Sequence, residues 1–192
     1  MRVIAGTARS LRLSTPKGMD TRPTADRIKE TLFNMLSYSI PNSMVLDLFA
    51  GSGGLGIEAL SRGARFAYFI ENNNSACKCI TENIQFTKMA ERAVLLNRDV
   101  FSGIQYLATS RELSNQHFDL IFIDPPFKLQ YEKKVLDLLA VQKYVNHKSL
   151  IVLETEVVTD TSSFLNEVFY LEKEKKYKTN KHLFIRKKLD EV

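Results

Sequence analysis

Met44-Val-Leu-Asp-Leu-Phe-Ala-Gly-Ser-Gly-Gly-Leu-Gly-Ile-Glu-Ala-Leu60 decides how this chain folds. Its first six residues are an apolar run with a single acid, Asp47, bounded upstream by Pro41 and Asn42. Such a run reads as a strand buried on both faces, as in a parallel sheet. Gly51, Gly53, Gly54 and Gly56 follow, and Ile57-Glu-Ala-Leu60 has helix-forming composition. A strand, a glycine turn and a helix in succession present backbone N–H groups and let a ligand approach the main chain. Gly51 to Gly56 also fits the G-x-G-x-x-G dinucleotide pattern. Alone, that pattern does not separate a nucleotide site from glycines kept for packing.

Acids at strand ends sharpen the reading. Phe66-Ala-Tyr-Phe-Ile70 is a second apolar strand, and Glu71 at its end stands 20 residues after Gly51. An α/β nucleotide site places its ribose-binding carboxylate there. Ala93-Val-Leu-Leu96 is a third strand running into Asp99 and Val100. An acid at that place suits an adenine amino group, with the valine packed on the ring. Either acid alone also suits a helix cap or a solvated turn.

Phe118-Asp-Leu-Ile-Phe-Ile-Asp124 is the most hydrophobic strand candidate, and Pro125, Pro126 and Phe127 follow it. The prolines fix φ and remove two backbone donors, so the segment offers acceptors only. The Asp124 carboxylate and Pro125 carbonyl suit the two hydrogens of one NH2 group, and Phe127 supplies a flat face for a base. Such a clamp fits an exocyclic amine, a poor nucleophile until its hydrogens are held. A strand ended by a plain proline turn is the alternative.

These motifs resemble the class I S-adenosylmethionine-dependent methyltransferases that act on amines, with their Asp/Asn-Pro-Pro-aromatic signature. Val3-Ile-Ala-Gly6, Leu11-Arg-Leu13 and Arg22 to Leu36, together with Asp47 to Gly63 and Phe118 to Phe127, resemble the RsmD family. Its members methylate the N2 amine of one guanine in bacterial 16S ribosomal RNA. The resemblance covers residues 1 to about 155 well and the last strands loosely. It implies S-adenosylmethionine as cofactor, with Asp47, Phe49, Ala50, Gly51, Ser52 and Gly53 at its methionine end. Glu71 would hold the ribose, with Asn72 beside it among the cofactor-binding residues, Asp99 and Val100 the adenine, and Asp124, Pro125, Pro126 and Phe127 the target base. Asn73 departs from the family, where an acid is usual, and Phe127 stands where tyrosine is commoner.

The 192 residues, 44% of them hydrophobic, suffice for a sizeable core. No stretch approaches a membrane span, and the first 20 residues lack a signal-peptide apolar region. Cys77 and Cys79 suggest neither a disulfide framework nor a zinc pair, so a cytoplasmic protein without a metal is expected. His117, His147 and His182 form no ligand spacing and read as surface residues. Charge is divided. Residues 1–29 carry seven Lys/Arg against two acids, net +5, and residues 173–188 carry eight against one, net +7. The stretch between them carries 12 against 17, net −5, and the last four residues add −2. Both basic ends read as structured phosphate-contacting surfaces, with Arg2, Arg9, Arg12, Lys17, Arg22 and Arg27 nearest the target base.

The expected fold is α/β: a Rossmann-like, doubly wound, mostly parallel sheet of seven strands with a small N-terminal hairpin. Residues 1–23 would form a basic extension and 24–192 the methyltransferase domain. Strands are expected near 44–49, 66–71, 93–97, 118–124, 149–155, 168–176 and 181–188, and helices near 24–38, 73–89 and 130–144. The leading function is methylation of a guanine N2 amine in 16S ribosomal RNA, free or in a small-subunit assembly particle, by a monomer with no membrane partner. A DNA or protein amino-methyltransferase would use the same clamp, although no separate target-recognition domain is evident. A non-catalytic RNA-binding module or a nicotinamide-dependent oxidoreductase would leave the Asp124 segment without a task.

Overall fold

The structure, a computed structural model, describes residues 1–16, 23–126, 130–163, 165 and 167–189. Lys17, Arg22 and Phe127 therefore lie outside the described residues. Seven strands form one mixed sheet in the order β3-β2-β1-β4-β5-β7-β6, the expected α/β class. The chain divides into two compact units, Met1–Asp99 and Val100–Val192.

The first unit holds α1 (Pro23–Met35), β1 (Met44–Asp47), α2 (Gly54–Ser61), β2 (Phe66–Glu71), α3 (Asn74–Phe86) and β3 (Ala93–Asn97). All three strands run parallel, with Asp47 level with Phe69 and Glu71 level with Asn97. Residues of β1 are buried throughout, as a strand covered on both faces requires. Helix α2 buries seven of its eight residues. Its only ionised side chain, Glu58, is fully buried.

Glu58 explains how the N-terminal hairpin is held. The hairpin closes through Val3 N–H to Leu11 O at 2.9 Å, Ser10 N–H to Val3 O at 2.8 Å and a bridge between Arg2 and Arg12. One Glu58 oxygen accepts from Ile4 N–H at 2.7 Å and lies 3.4 Å from Lys29 Nζ. The other accepts from Ala5 N–H at 3.1 Å and from Arg62 Nε at 2.7 Å. Ser61 completes the seam, donating to Ala5 O and accepting from Ala8 N–H. Gly6 has φ of 84°, and a Cβ there would lie 1.8 Å from Ser61 O, so no larger residue permits this contact.

The second unit holds α4 (Val100–Thr109), β4 (Leu120–Ile123), α5 (Glu132–Ala140), β5 (Leu150–Glu156), β6 (Phe169–Lys176) and β7 (Asn180–Lys187). β4 and β5 are parallel, whereas β7 runs antiparallel to both β5 and β6. Strand β4 is shorter than expected, and Phe118 N–H donates instead to Tyr144 O at 3.0 Å. His182, expected at the surface, is 2% exposed, 2.9 Å from Glu154 Oε2 and 3.1 Å from Tyr177 Oη. Among the described residues no helix is long and apolar enough to cross a membrane.

Glu58→Ala should destabilise the protein by about 3–5 kcal/mol in denaturant titrations, because it leaves the buried Lys29 ammonium with only the Arg2 carbonyl and Asp26 to offset it. Lys29→Met added to it should recover part of that loss, since the double variant buries neither charge.

Candidate active site

The turn after β1 shows why its glycines are needed. Gly51 has φ of 54°, and the space where its side chain would stand is empty of neighbouring atoms within 4 Å. Main chain is thus open to a ligand at Gly51. Gly53 N–H closes the turn on Ala50 O at 2.7 Å, and Ala50 N–H joins Ile70 O at 3.1 Å. Phe49 is half-buried and Ser52 nearly buried.

Two acids are built into this turn. Asp47, 1% exposed, accepts from Gly56 N–H at 3.0 Å and so ties the strand end to the first turn of α2. Burial pushes its carboxyl up to about 7; the neighbouring charge of Glu71 adds to the shift and the Gly56 N–H opposes it. Glu71 accepts from Gly51 N–H at 2.8 Å through one oxygen, and from Asn72 and Asn73 N–H at 2.9 and 2.8 Å through the other. It therefore staples the turn after β1 to the turn after β2. A carboxylate has about four acceptor positions, and three are used, so one more hydroxyl can be held. Asn73 caps α3, its side chain accepting from Ser75 and Ala76 N–H. An acid would serve that cap equally well, so the cap does not explain the amide.

Asn83 was not legible as a site residue. Its buried amide donates to Ser52 O at 2.9 Å and to Ser14 O at 2.9 Å, and accepts from Ser14 N–H at 2.7 Å. It fixes both the glycine turn and the chain leaving the hairpin. The signal was present: a polar residue between Ile80 and Ile84 on the apolar face of α3. Met1 also reaches the turn, with Sδ 3.8 Å from Ser52 Oγ.

Asp99, exposed, ends the first unit, and Val100 begins α4 and is buried. In the second unit Asp124 follows β4 and is exposed, Pro125 is buried and Pro126 exposed. Of the proposed RNA contacts, Arg2, Arg9 and Arg27 line one hollow of about 450 Å³ with Asp26 and Glu30. Arg2 Nε lies 3.4 Å from Asp26 Oδ2, and Arg12 is exposed outside the hollow.

A seven-stranded sheet whose last strand is antiparallel, with an open glycine turn after its first strand, defines a class I S-adenosylmethionine-dependent methyltransferase. Residues 1–186 match the family model described as Conserved hypothetical protein 95. The chain belongs to this family, that of the RsmD proteins. It is 39% identical over 158 residues to Ribosomal RNA small subunit methyltransferase D of Haemophilus influenzae, covering 81% of this chain and 79% of that one. The Escherichia coli K12 protein of the same name is 35% identical over 157 residues, 82% of this chain and 75% of its own. The solved structure of yhhF from Escherichia coli superposes with a TM-score of 0.82 at 30% identity, covering 99% of each chain.

Glu71→Ala should weaken S-adenosylmethionine binding by about 1–3 kcal/mol in calorimetry, through the lost acceptor and the loosened turn. Unchanged affinity in a folded variant would remove Glu71 from the site. Asp47 gives a pH test. Its folded value of about 7 lies above the ordinary 3.8, so folding favours the protonated form. Stability from this group is full below about 4 and is lost as pH rises to about 7. Relative to Asp47→Asn, the native chain should lose up to about 4 kcal/mol across that window. Parallel stability profiles of the two proteins would contradict the shift.

Proposed function

We propose that this chain methylates the N2 amine of a guanine in 16S ribosomal RNA, acting in the cytoplasm as a monomer on free RNA or on an assembling small subunit. The observation that carries the reaction type is the acceptor-only segment Asp124-Pro125-Pro126 after β4, in a chain of a methyltransferase family. The relatives' names point to ribosomal RNA of the small subunit. Guanine N2 comes from the family resemblance.

The residues fit S-adenosylmethionine: an open main chain at Gly51, one remaining acceptor position on Glu71, and a buried acid at Asp47. When bound, it would supply an electrophilic methyl group, on a sulfonium leaving group, for the amine nitrogen. The protein's part is mostly orientation. Asp124 and the Pro125 carbonyl accept the two amine hydrogens, which draws the nitrogen lone pair out of conjugation with the base. The amine becomes strongly acidic as the N–C bond forms, and Asp124 accepts its proton directly or through water. Phe127 would stack on the base, which has to be unpaired or turned out to enter. Arg2, Arg9, Arg12 and Arg27 would meet backbone phosphates, joined by Lys17 and Arg22.

The test is transfer of tritiated methyl from S-adenosylmethionine to ribosomal RNA of a strain lacking this protein, followed by nucleoside analysis. N2-methylguanosine in the 16S fraction is expected. Label in DNA or protein would favour the second reading, in which the same clamp serves another amine. Asp124→Ala should lower the single-turnover rate by about 100-fold or more and leave cofactor affinity within about threefold. A variant keeping half its rate would exclude Asp124 from the chemistry.

A further inference from the structure

The basic C-terminal strands do not present their cations evenly. Toward the start of β7, Lys181 is buried, donating to Thr159 O at 2.7 Å and lying 3.3 Å from Glu174. His182 pairs with Glu154, and Lys176 stands 3.8 Å from Glu174. At the other end of β7 the pattern reverses. Arg186 pairs with Leu150, so Lys187 and Lys188 emerge beside the entry to β5. There they line a hollow of about 280 Å³ with Lys143, His147, Gln142 and Asn146, and among the described residues no carboxylate lines it.

The hollow has a fixed frame. Arg186 is engaged by Glu172 at 2.6 Å and donates to Lys148 O at 3.1 Å, which binds the loop before β5 to β7. Asn146 Oδ1 accepts from Lys148 N–H at 2.8 Å, and Ser149 Oγ accepts from Asn146 N–H at 3.1 Å. Lys187 reaches Val145 O at 3.4 Å, whereas Lys143, His147 and Lys188 are exposed. Lys143 before the ordered turn and Lys187 and Lys188 at the end of β7 are thus gathered where, among the described residues, no acid of the lining offsets them.

We propose that this hollow is a second site for RNA backbone phosphates, remote from Asp124; the proposal rests on the RNA reading above. Leu120 pairs with Leu150 and Ile123 with Leu153, so Asp124 stands near the level of Glu154. Lys188 lies two residues beyond Arg186, the partner of Leu150. Six residue steps of about 3.3 Å separate the two levels, or about 20 Å along the strands. A short oligonucleotide carrying the target guanine fills the Asp124 end alone. A folded RNA spans both, and the hollow then adds affinity without touching the reacting base.

The experiment compares the full chain with its Lys143→Ala/Lys188→Ala variant on a folded, unmethylated 16S RNA fragment and on a short oligonucleotide containing the unmethylated target guanine. The slope of log binding constant against log salt for the folded fragment should fall by about 1.5 units. KM for that fragment should rise about five- to tenfold, with KM for the oligonucleotide and S-adenosylmethionine affinity changing less than about twofold. Lys143→Arg/Lys188→Arg should behave as the native chain, since phosphate contact needs only the charge. An unchanged slope and KM on the folded fragment would overturn the site. So would saturable binding of inorganic phosphate that the alanine variant loses while RNA binding stays intact, because the hollow would then serve a small anion. Failure of the native chain to bind either RNA would instead sink the RNA reading, and this site with it.

Discussion

A carboxylate with no solvent exposure, Glu58, is the interaction on which the first unit depends. Burying such a charge costs several kcal/mol unless every lone pair finds a partner. Glu58 meets that condition by recruiting Ile4 and Ala5 from the hairpin, Lys29 from α1 and Arg62 from its own helix. Arg62 comes with α2, whereas the hairpin N–H groups and the Lys29 ammonium reach Glu58 only when the hairpin and α1 are in place. Burial draws the Lys29 ammonium below its ordinary range, and Glu58 and Asp26 work against that pull. Helix α2 is also the helix that opens at the glycine turn, so the basic extension and the cofactor turn share one foundation.

The acids near the turn are used differently, and their surroundings decide how. Asp47 is sealed at the strand end with one backbone N–H in hand, an arrangement that favours its neutral form. Glu71, half-exposed, holds three N–H groups from two turns. Hydrogen bonds to a carboxylate are stronger than neutral ones, so Glu71 ties the two turns firmly. A charged Glu71 in turn raises the cost of ionising Asp47.

Most strand positions were legible because buried parallel strands are continuous apolar runs, and β1, β2 and β4 are that. Ends were less legible. The expected strand 118–124 reaches past the paired residues at both ends, since hydropathy does not report where pairing stops. The glycine turn, and the placing of Asp47 and Glu71 at strand ends, could be read from the sequence. Glu58, Asn83 and His182 could not, although each is a polar residue set among apolar neighbours. Local pattern marks such residues as anomalies, and only the tertiary partner shows what satisfies them. For His182 the partner is Glu154, 28 positions away in sequence.

The same reasoning changes how the chain's net charge is understood. A sum of +7 over residues 173–188 counts Lys181 and Arg186 equally with Lys188. Lys181 is committed to Thr159 and Glu174, and Arg186 to Glu172 and the loop before β5. In the first 29 residues Lys29 is likewise consumed by Glu58. Cations near the chain ends thus divide into those that hold the fold and those left at its surface. Only the latter can exchange their counterions for phosphates. A polyanion would sense Arg9, Arg12, Lys143 and Lys188 strongly and Lys29 and Lys181 hardly at all, although one sequence tally scores them alike.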